Sequence, residues 1–503
     1  MHQRRLKRFG KMHASRLVRI VTLIAGICIV PSLTGCVITG YEKPDLALEI
    51  PDNYRAGHGQ KAPPELDWWR AFHSAELTDL VEQAQSWNFD VAVAIAQVEQ
   101  ADALVRVAGA PLFPIVDYNA SVTRSQSPVL ATGGGPKVTT TIYNTNLTAS
   151  YVVDIWGKNR AALLAAEENG IESRFNKEAV RLTTITGVAD TYFTVLGTQD
   201  RLKIAHNNVA AASRILDLIK LQARVGTLSG LDIAQQEALL ATERALIPPL
   251  ELTVRQNMQA LALLVGRAPE HINVRGGSLI RLATPKVTPG LPSDILTQRP
   301  DVRQAEAQLA SANYSVESAR AAFFPTIQLT GEAGFQSTAL RTLFGPGAFF
   351  WSTAASLAQP VFDGFLLQGQ LDQQIGLQKQ FLQAYRKSVI SAFVNVEQAL
   401  IAIEEDTRQE RLQSEAVAAS RRAFQLSEVQ LRAGTVNLTT VLQAEQTLFT
   451  AEDTLAQVRL NRYQAIIALY QALGGGWPPR SEIAREEAER QVEVARPIPA
   501  LDP

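Results

Sequence analysis

Cysteine occurs only twice in this chain of 503 residues, at Cys28 and Cys36, histidine six times, and aromatic residues make up 7%. Each scarcity excludes something. His2, His13, His58, His73, His206 and His271 are scattered, with no His-Glu-x-x-His and no Cys-His cluster, so no ligand set for a zinc enzyme is present. Gly-x-Ser-x-Gly is absent too. Gly133-Gly134-Gly135-Pro136-Lys137 lacks Walker spacing and sits between two alternating stretches, which makes it a hairpin loop rather than a phosphate cradle. No enzyme chemistry is expected, and no nucleotide-driven engine. Few aromatics among many Ala, Leu and Gln favour long packed helices over a sandwich or a doubly wound sheet. A basic excess is missing as well: outside residues 1–35, 41 basic residues face 49 acidic ones. Nucleic acid is therefore not an expected partner.

The first 35 residues carry seven Lys or Arg, no acid, and the apolar run 20–30. Those eleven residues fall short of the ~20 that span a bilayer as a helix, and the pattern is that of a removable signal peptide. Leu33-Thr34-Gly35-Cys36 follows directly and resembles a bacterial lipobox. Cys36 is then the lipidation site, carrying diacylglycerol and an N-acyl chain, and no other cofactor is expected. Cys28 leaves with the signal, so no disulfide can form. Val37 after the Cys, rather than Asp, implies release to the outer membrane.

What the chain does have is an internal repeat. Residues 88–114 align without a gap on 299–325, with Asp90 on Asp301, Gln97 on Gln308 and Phe113-Pro114 on Phe324-Pro325. Residues 224–242 align on 432–450, with Arg224 on Arg432, Gly226 on Gly434 and Glu237 on Glu445. Each unit reads as a helix ending at Pro, two alternating stretches around a Gly-containing loop, a very long helix, a Gly-Thr turn and a helix back. Residues 158–225 and 365–433 contain no Pro, and each would extend about 100 Å as a helix. The return helices are expected near 230–266 and 437–474, with Pro248-Pro249 breaking or kinking the first.

The alternating stretches lie near 114–124, 142–154, 325–336 and 350–360, with the period of two of a strand. In the first, Val116, Tyr118, Ala120 and Val122 oppose Asp117, Asn119, Ser121 and Thr123. The second sets Asn144 and Asn146 against Tyr143, Thr145 and Leu147; the third sets Gln328, Thr330 and Glu332 against Ile327, Leu329 and Ala333. A length of about 10 residues, Tyr and Trp towards the ends of the apolar faces, and delivery to an outer membrane favour a membrane barrel whose polar face lines the lumen. Four strands are too few to close a ring, and a free edge in lipid is costly. Copies must share the barrel: two chains give about eight strands and a filled interior, three about twelve and a lumen.

At this point the motifs 291–313 (LPSDILTQRPDVRQAEAQLASAN), 321–331 (AAFFPTIQLTG), 245–251 (ALIPPLE) and the Gly-Thr turns are similar to the TolC-like outer-membrane factors. The similarity is to the lipoprotein branch (NodT/OprM-like) that serves resistance-nodulation-division multidrug efflux, and it covers about 41–475. It implies a mainly helical fold in which a homotrimer forms a 12-stranded β-barrel continuous with a periplasmic α-helical barrel. It also implies a collar around that helical barrel from parts of 41–75, 267–298 and the tail. The resulting domains are a signal peptide 1–35, a lipidated segment 36–75, repeats 76–290 and 291–476, and a tail 477–503. The implied function is a passive gated duct from periplasm to exterior. Its implied partners are a periplasmic membrane-fusion adaptor, an inner-membrane pump and outer-membrane lipid.

Carried over residue by residue, the adaptor-docking tips are Arg224, Gly226, Thr227, Ser229 and Asp232, then Arg432, Gly434, Thr435 and Asn437. For the glycines helix capping is the simpler role; for Arg, Ser and Asn docking and capping both stand. Many relatives place an Asp ring just inside the gate. Here Gln443 occupies that position and Glu445 follows two residues on, a spacing that does not share a helix face. An acidic ring is not expected. A coiled-coil lipoprotein scaffold that does not conduct is the alternative, differing only in the strands.

Overall fold

The computed structural model describes residues 46, 48, 51, 54–55, 66–128, 137–275, 277–287, 290 and 292–475. The signal peptide, Cys36, the 133–136 loop and the 477–503 tail lie outside the described residues. The chain divides into two compact units: one holds 111–161 and 315–371, the other 45–110, 162–314 and 372–475 among the described residues. Each sequence repeat contributes to both.

In chain order the elements are α1 (Ala75–Trp87), α2 (Phe89–Gly109), β1 (Ile115–Pro128), β2 (Lys137–Val153), α3 (Lys158–Arg224), α4 (Gly230–Ala245) and α5 (Ile247–Val265). The second repeat follows with α6 (Pro292–Gln298), α7 (Pro300–Ala321), β3 (Thr326–Ser337), β4 (Phe349–Ala358), α8 (Leu366–Arg432) and α9 (Leu438–Ala472). The long helices α3 and α8 have the same length, 67 residues. Among the described residues no helix is long and apolar enough to cross a membrane.

The first unit is built on one antiparallel sheet of order β1-β2-β3-β4. Its central ladder pairs β2 with β3, so the two repeats meet there strand to strand. Below the sheet, Trp156 stacks on Phe324 with centroids 4.8 Å apart, and its Nε1 donates to the Pro325 carbonyl at 2.8 Å. Asp154 accepts from the backbone N–H of Asn159 and Arg160, satisfying donors at the start of α3. Asp363 does the same for Leu367 at the start of α8. Two strands run longer than expected. β1 has 14 residues and β2 has 17, because their ladder continues through Arg124–Pro128 and Lys137–Thr141 after the apolar alternation has stopped.

The second unit is helical, with three buried clusters among the described residues. Trp68, Phe72, Leu77, Phe193 and Tyr463 lead the first, where Trp68 stacks on Tyr470 at 4.6 Å. Ile219, Leu240, Val441 and Phe449 belong to the second; Val302, Tyr385, Val389 and Leu469 to the third. Arg299 joins the start of the second repeat to the end of α9. It is buried, donates from Nη1 to the Ala472 carbonyl at 3.0 Å, and grips Asp301 with two bonds of 2.9 and 2.6 Å. The first return helix is interrupted at Leu246, two residues before the expected Pro248. A proline is tolerated in the first turn of a new helix, where its missing N–H has no partner to lose.

Candidate channel wall, hairpin tips and a buried carboxylate

The sheet register tests the strand phase directly. Val116 lies opposite Ala149, which lies opposite Gly331, which lies opposite Thr353. The next apolar row runs Tyr118, Leu147, Ala333, Trp351. Between them runs Asp117, Thr148, Glu332, Ser352. Since alternate residues of a strand face opposite sides, Asp117, Asn119, Ser121, Thr123, Asn144, Asn146, Gln328, Thr330 and Glu332 share one face of the sheet. The apolar set occupies the other.

Polar side chains pair along the first face. Asn119 Nδ2 donates to Thr148 Oγ1 at 3.1 Å, and Asn146 Nδ2 donates to Glu332. On the apolar face Val116, Tyr118, Leu147 and Trp351 are exposed in the single chain. The Tyr118 hydroxyl there accepts from Thr145 Oγ1 at 2.9 Å. A large exposed apolar surface on one side of a sheet needs a partner or a lipid phase.

The two hairpin tips have the same construction. Gly226 and Gly434 adopt φ of 83° and 71°. Thr227 N–H donates to the Gln222 carbonyl at 3.1 Å, and Thr435 N–H to the Gln430 carbonyl at 3.0 Å. Each threonine hydroxyl reinforces the same carbonyl, at 2.8 and 3.1 Å. This bond from the third residue past the helix back into its last turn, around a left-handed glycine, is a C-cap.

The return helices are capped as well. Ser229 and Asp232 form a reciprocal capping box on α4, and the Asn437 side chain accepts from Thr440 N–H at 3.0 Å on α9. Gly226, Thr227, Ser229, Asp232, Gly434, Thr435 and Asn437 thus all have structural work at the turn. Arg224 and Arg432 are exposed, the latter paired with Glu428 at 2.5 Å. Two exposed apolar residues that sequence reasoning passed over, Val225 (71%) and Leu231 (66%), sit beside them. Their signal was their apolarity in a turn.

Gln443 and Glu445 part company, as their spacing requires. Gln443 is exposed, while Glu445 is 0% exposed. Glu445 Oε2 accepts from Gln236 Nε2 of α4 at 3.3 Å, and the same amide donates to the Ala212 carbonyl of α3 at 3.0 Å. Burial pushes the Glu445 carboxyl up to about 7; the charges of Glu243 and Glu428 add to this, while the Gln236 bond and Arg214 oppose it. Glu243 is raised too, first by burial and then by Asp453, against the Asn208 bond. Gln236 carried no sequence signal: its repeat counterpart is Ala444, and only the contact between helices marks it.

A model of the outer membrane efflux protein family matches residues 80–267 and 291–475. The pyoverdine export outer membrane protein OpmQ of Pseudomonas putida is 34% identical over 467 residues, covering 91% of this chain and 98% of its own. The toluene efflux pump outer membrane protein TtgF of Pseudomonas putida is 30% identical, covering 89% and 95%. Among solved structures, the outer-membrane channel OprN superposes with a TM-score of 0.84 at 27% identity, covering 88% of this chain and 100% of that one.

Proposed function

The chain belongs to the outer membrane efflux protein family and is an outer-membrane channel component of an efflux system; we propose that three copies complete its channel. The observation that carries this is the sheet. Four strands with one apolar and one polar face leave β1 and β4 without a strand partner on their outer edges among the described residues. Lipid cannot satisfy those edge groups, so a neighbouring copy must. Two copies would close a ring filled by its own side chains; about twelve strands leave room for water. Asp117, Asn119, Ser121, Thr123, Asn144, Asn146, Gln328, Thr330 and Glu332 then line the lumen, and Val116, Tyr118 and Leu147 meet lipid.

The duct performs no catalysis and derives its driving force from an inner-membrane pump, of the resistance-nodulation-division type, through a periplasmic adaptor. The exposed tips around Arg224 and Arg432 are the proposed adaptor contacts. The relatives are named for pyoverdine export and toluene efflux; small compounds of this size range are the proposed cargo. Lipidation at Cys36 is proposed as a second attachment, with the barrel sufficient to hold the protein when Cys36 is replaced by Ala.

Purified protein should cross-link to a three-chain species and conduct in planar bilayers. Affinity capture from cross-linked cells should recover adaptor and pump together. A non-conducting, monodisperse single chain would overturn the reading.

A further inference from the structure

Between α4 and α9 the two hairpins touch through polar groups that water does not reach. Gln236 and Glu445 are each 0% exposed. Both hydrogens of the Gln236 amide are used, one on the Ala212 carbonyl and one on Glu445 Oε2. Two acceptors remain, Gln236 Oε1 and Glu445 Oε1, and neither has a hydrogen-bond partner among the described residues. Buried acceptors are seldom left so, because desolvation without a donor is costly. The joint lacks one donor. An ionised Glu445 cannot supply it; a protonated Glu445 can.

We infer that Glu445 is held as the neutral acid and pairs with the Gln236 amide, making a proton-dependent joint that ties the return helix of one repeat to that of the other. Two of the three charged groups facing it favour this state. Arg214 of α3 opposes it, while Glu243 of α4 and Glu428 of α8 repel a charge on Glu445. Glu243 is itself buried beside Asn208, whose Nδ2 lies 3.5 Å from Glu243 Oε2. Glu428 is partly neutralised by Arg432. Two turns along α9, Asp453 is held by Arg201 of α3 at 2.7 Å, a second tie that does not need a proton.

The sign follows from linkage. Folding shifts the Glu445 carboxyl from 4.5 to about 7. The stabilisation is complete below 4.5, falls as pH rises, and is gone above about 7. Since the joint lies within one chain, the proposal holds whether or not the chain conducts, and a failed bilayer experiment would not touch it.

The test is hydrogen exchange of the intact protein, read in peptides from 230–245 and 438–450 and corrected for intrinsic exchange. Protection should fall about tenfold per pH unit between pH 4.5 and 7, the slope of one proton released on opening. Glu445→Gln keeps the shape and the amide partner and should flatten that dependence. Identical pH profiles in wild type and Glu445→Gln would overturn the proposal. Should the variant not assemble, wild type alone decides. An infrared band from a protonated carboxyl that bleaches near pH 7 supports the joint, and its absence at pH 5 refutes it.

Discussion

Placing an arginine at two adjacent positions of β2 separates the faces of the sheet. Position 147 lies in the middle of the band that all four strands share, between Tyr118 and Ala333 on the apolar face. Leu147→Arg puts a cation where lipid is proposed, at a cost of about 2–4 kcal/mol near the bilayer midplane. Position 148 is one residue away and faces the other side, between Asp117 and Glu332. Thr148→Arg gives up the 3.1 Å bond from Asn119, about 1 kcal/mol. It gains two opposite charges directly across the ladder, about 0.2–1 kcal/mol each. The second substitution is nearly neutral.

The gap between the two variants is thus about 2–4 kcal/mol per chain, and roughly 6–12 kcal/mol in an assembly of three. Because β2 is paired on both sides within its own chain, an edge contact between copies does not confuse the comparison. The assay is the yield of heat-modifiable oligomer in outer-membrane fractions, followed by urea midpoints of the purified protein. Leu147→Arg should be nearly absent and Thr148→Arg close to wild type. Equal yields, or the reverse order, would refute the assignment of the polar face to the lumen.

Within the same sheet, Gly334→Ala should destabilise the fold by about 1–3 kcal/mol of overpacking and so lower oligomer yield, because a Cβ there would strike the Thr145 carbonyl and lie 2.6 Å from Asn146 Cα. Gly331→Ala, with nothing within 4 Å, should be silent in the same gel. Arg299→Ala removes two bonds to Asp301 and one to the Ala472 carbonyl and should cost about 2–3 kcal/mol in urea unfolding, with Arg299→Lys only a partial rescue. At the tips, Arg432→Ala should impair efflux in resistance assays while oligomer yield stays normal. Unchanged resistance would remove Arg432 from the adaptor contact.

Much of this arrangement could be read from the chain as written. Two Pro-free spans of matching pattern became helices of identical length, and the alternation in all four strands had the phase that the ladder shows. The Gly-Thr turns announced both C-caps. The strands extend past their expected ends because Thr139, Thr140 and Thr141 carry no apolar alternation, and a backbone ladder needs none. The break falls at Leu246, two residues ahead of the expected one, since Pro248 is compatible with the turn that begins at Ile247.

Local order is what periodicity encodes, because a repeat of two or of 3.6 residues arises within a few neighbouring side chains. Helix lengths, turn chemistry and the sidedness of each strand therefore belonged to the sequence alone. Which strand joins the repeats, and which face of α9 turns inward, depended on residues far apart in the chain. Val441, Leu442, Leu448 and Phe449 spread apolar surface around much of that helix, so its pattern did not say that Glu445 would be buried. Gln236 and Glu445 stand 209 positions apart, and only packing of the two hairpins brings amide to carboxyl and withdraws both from water.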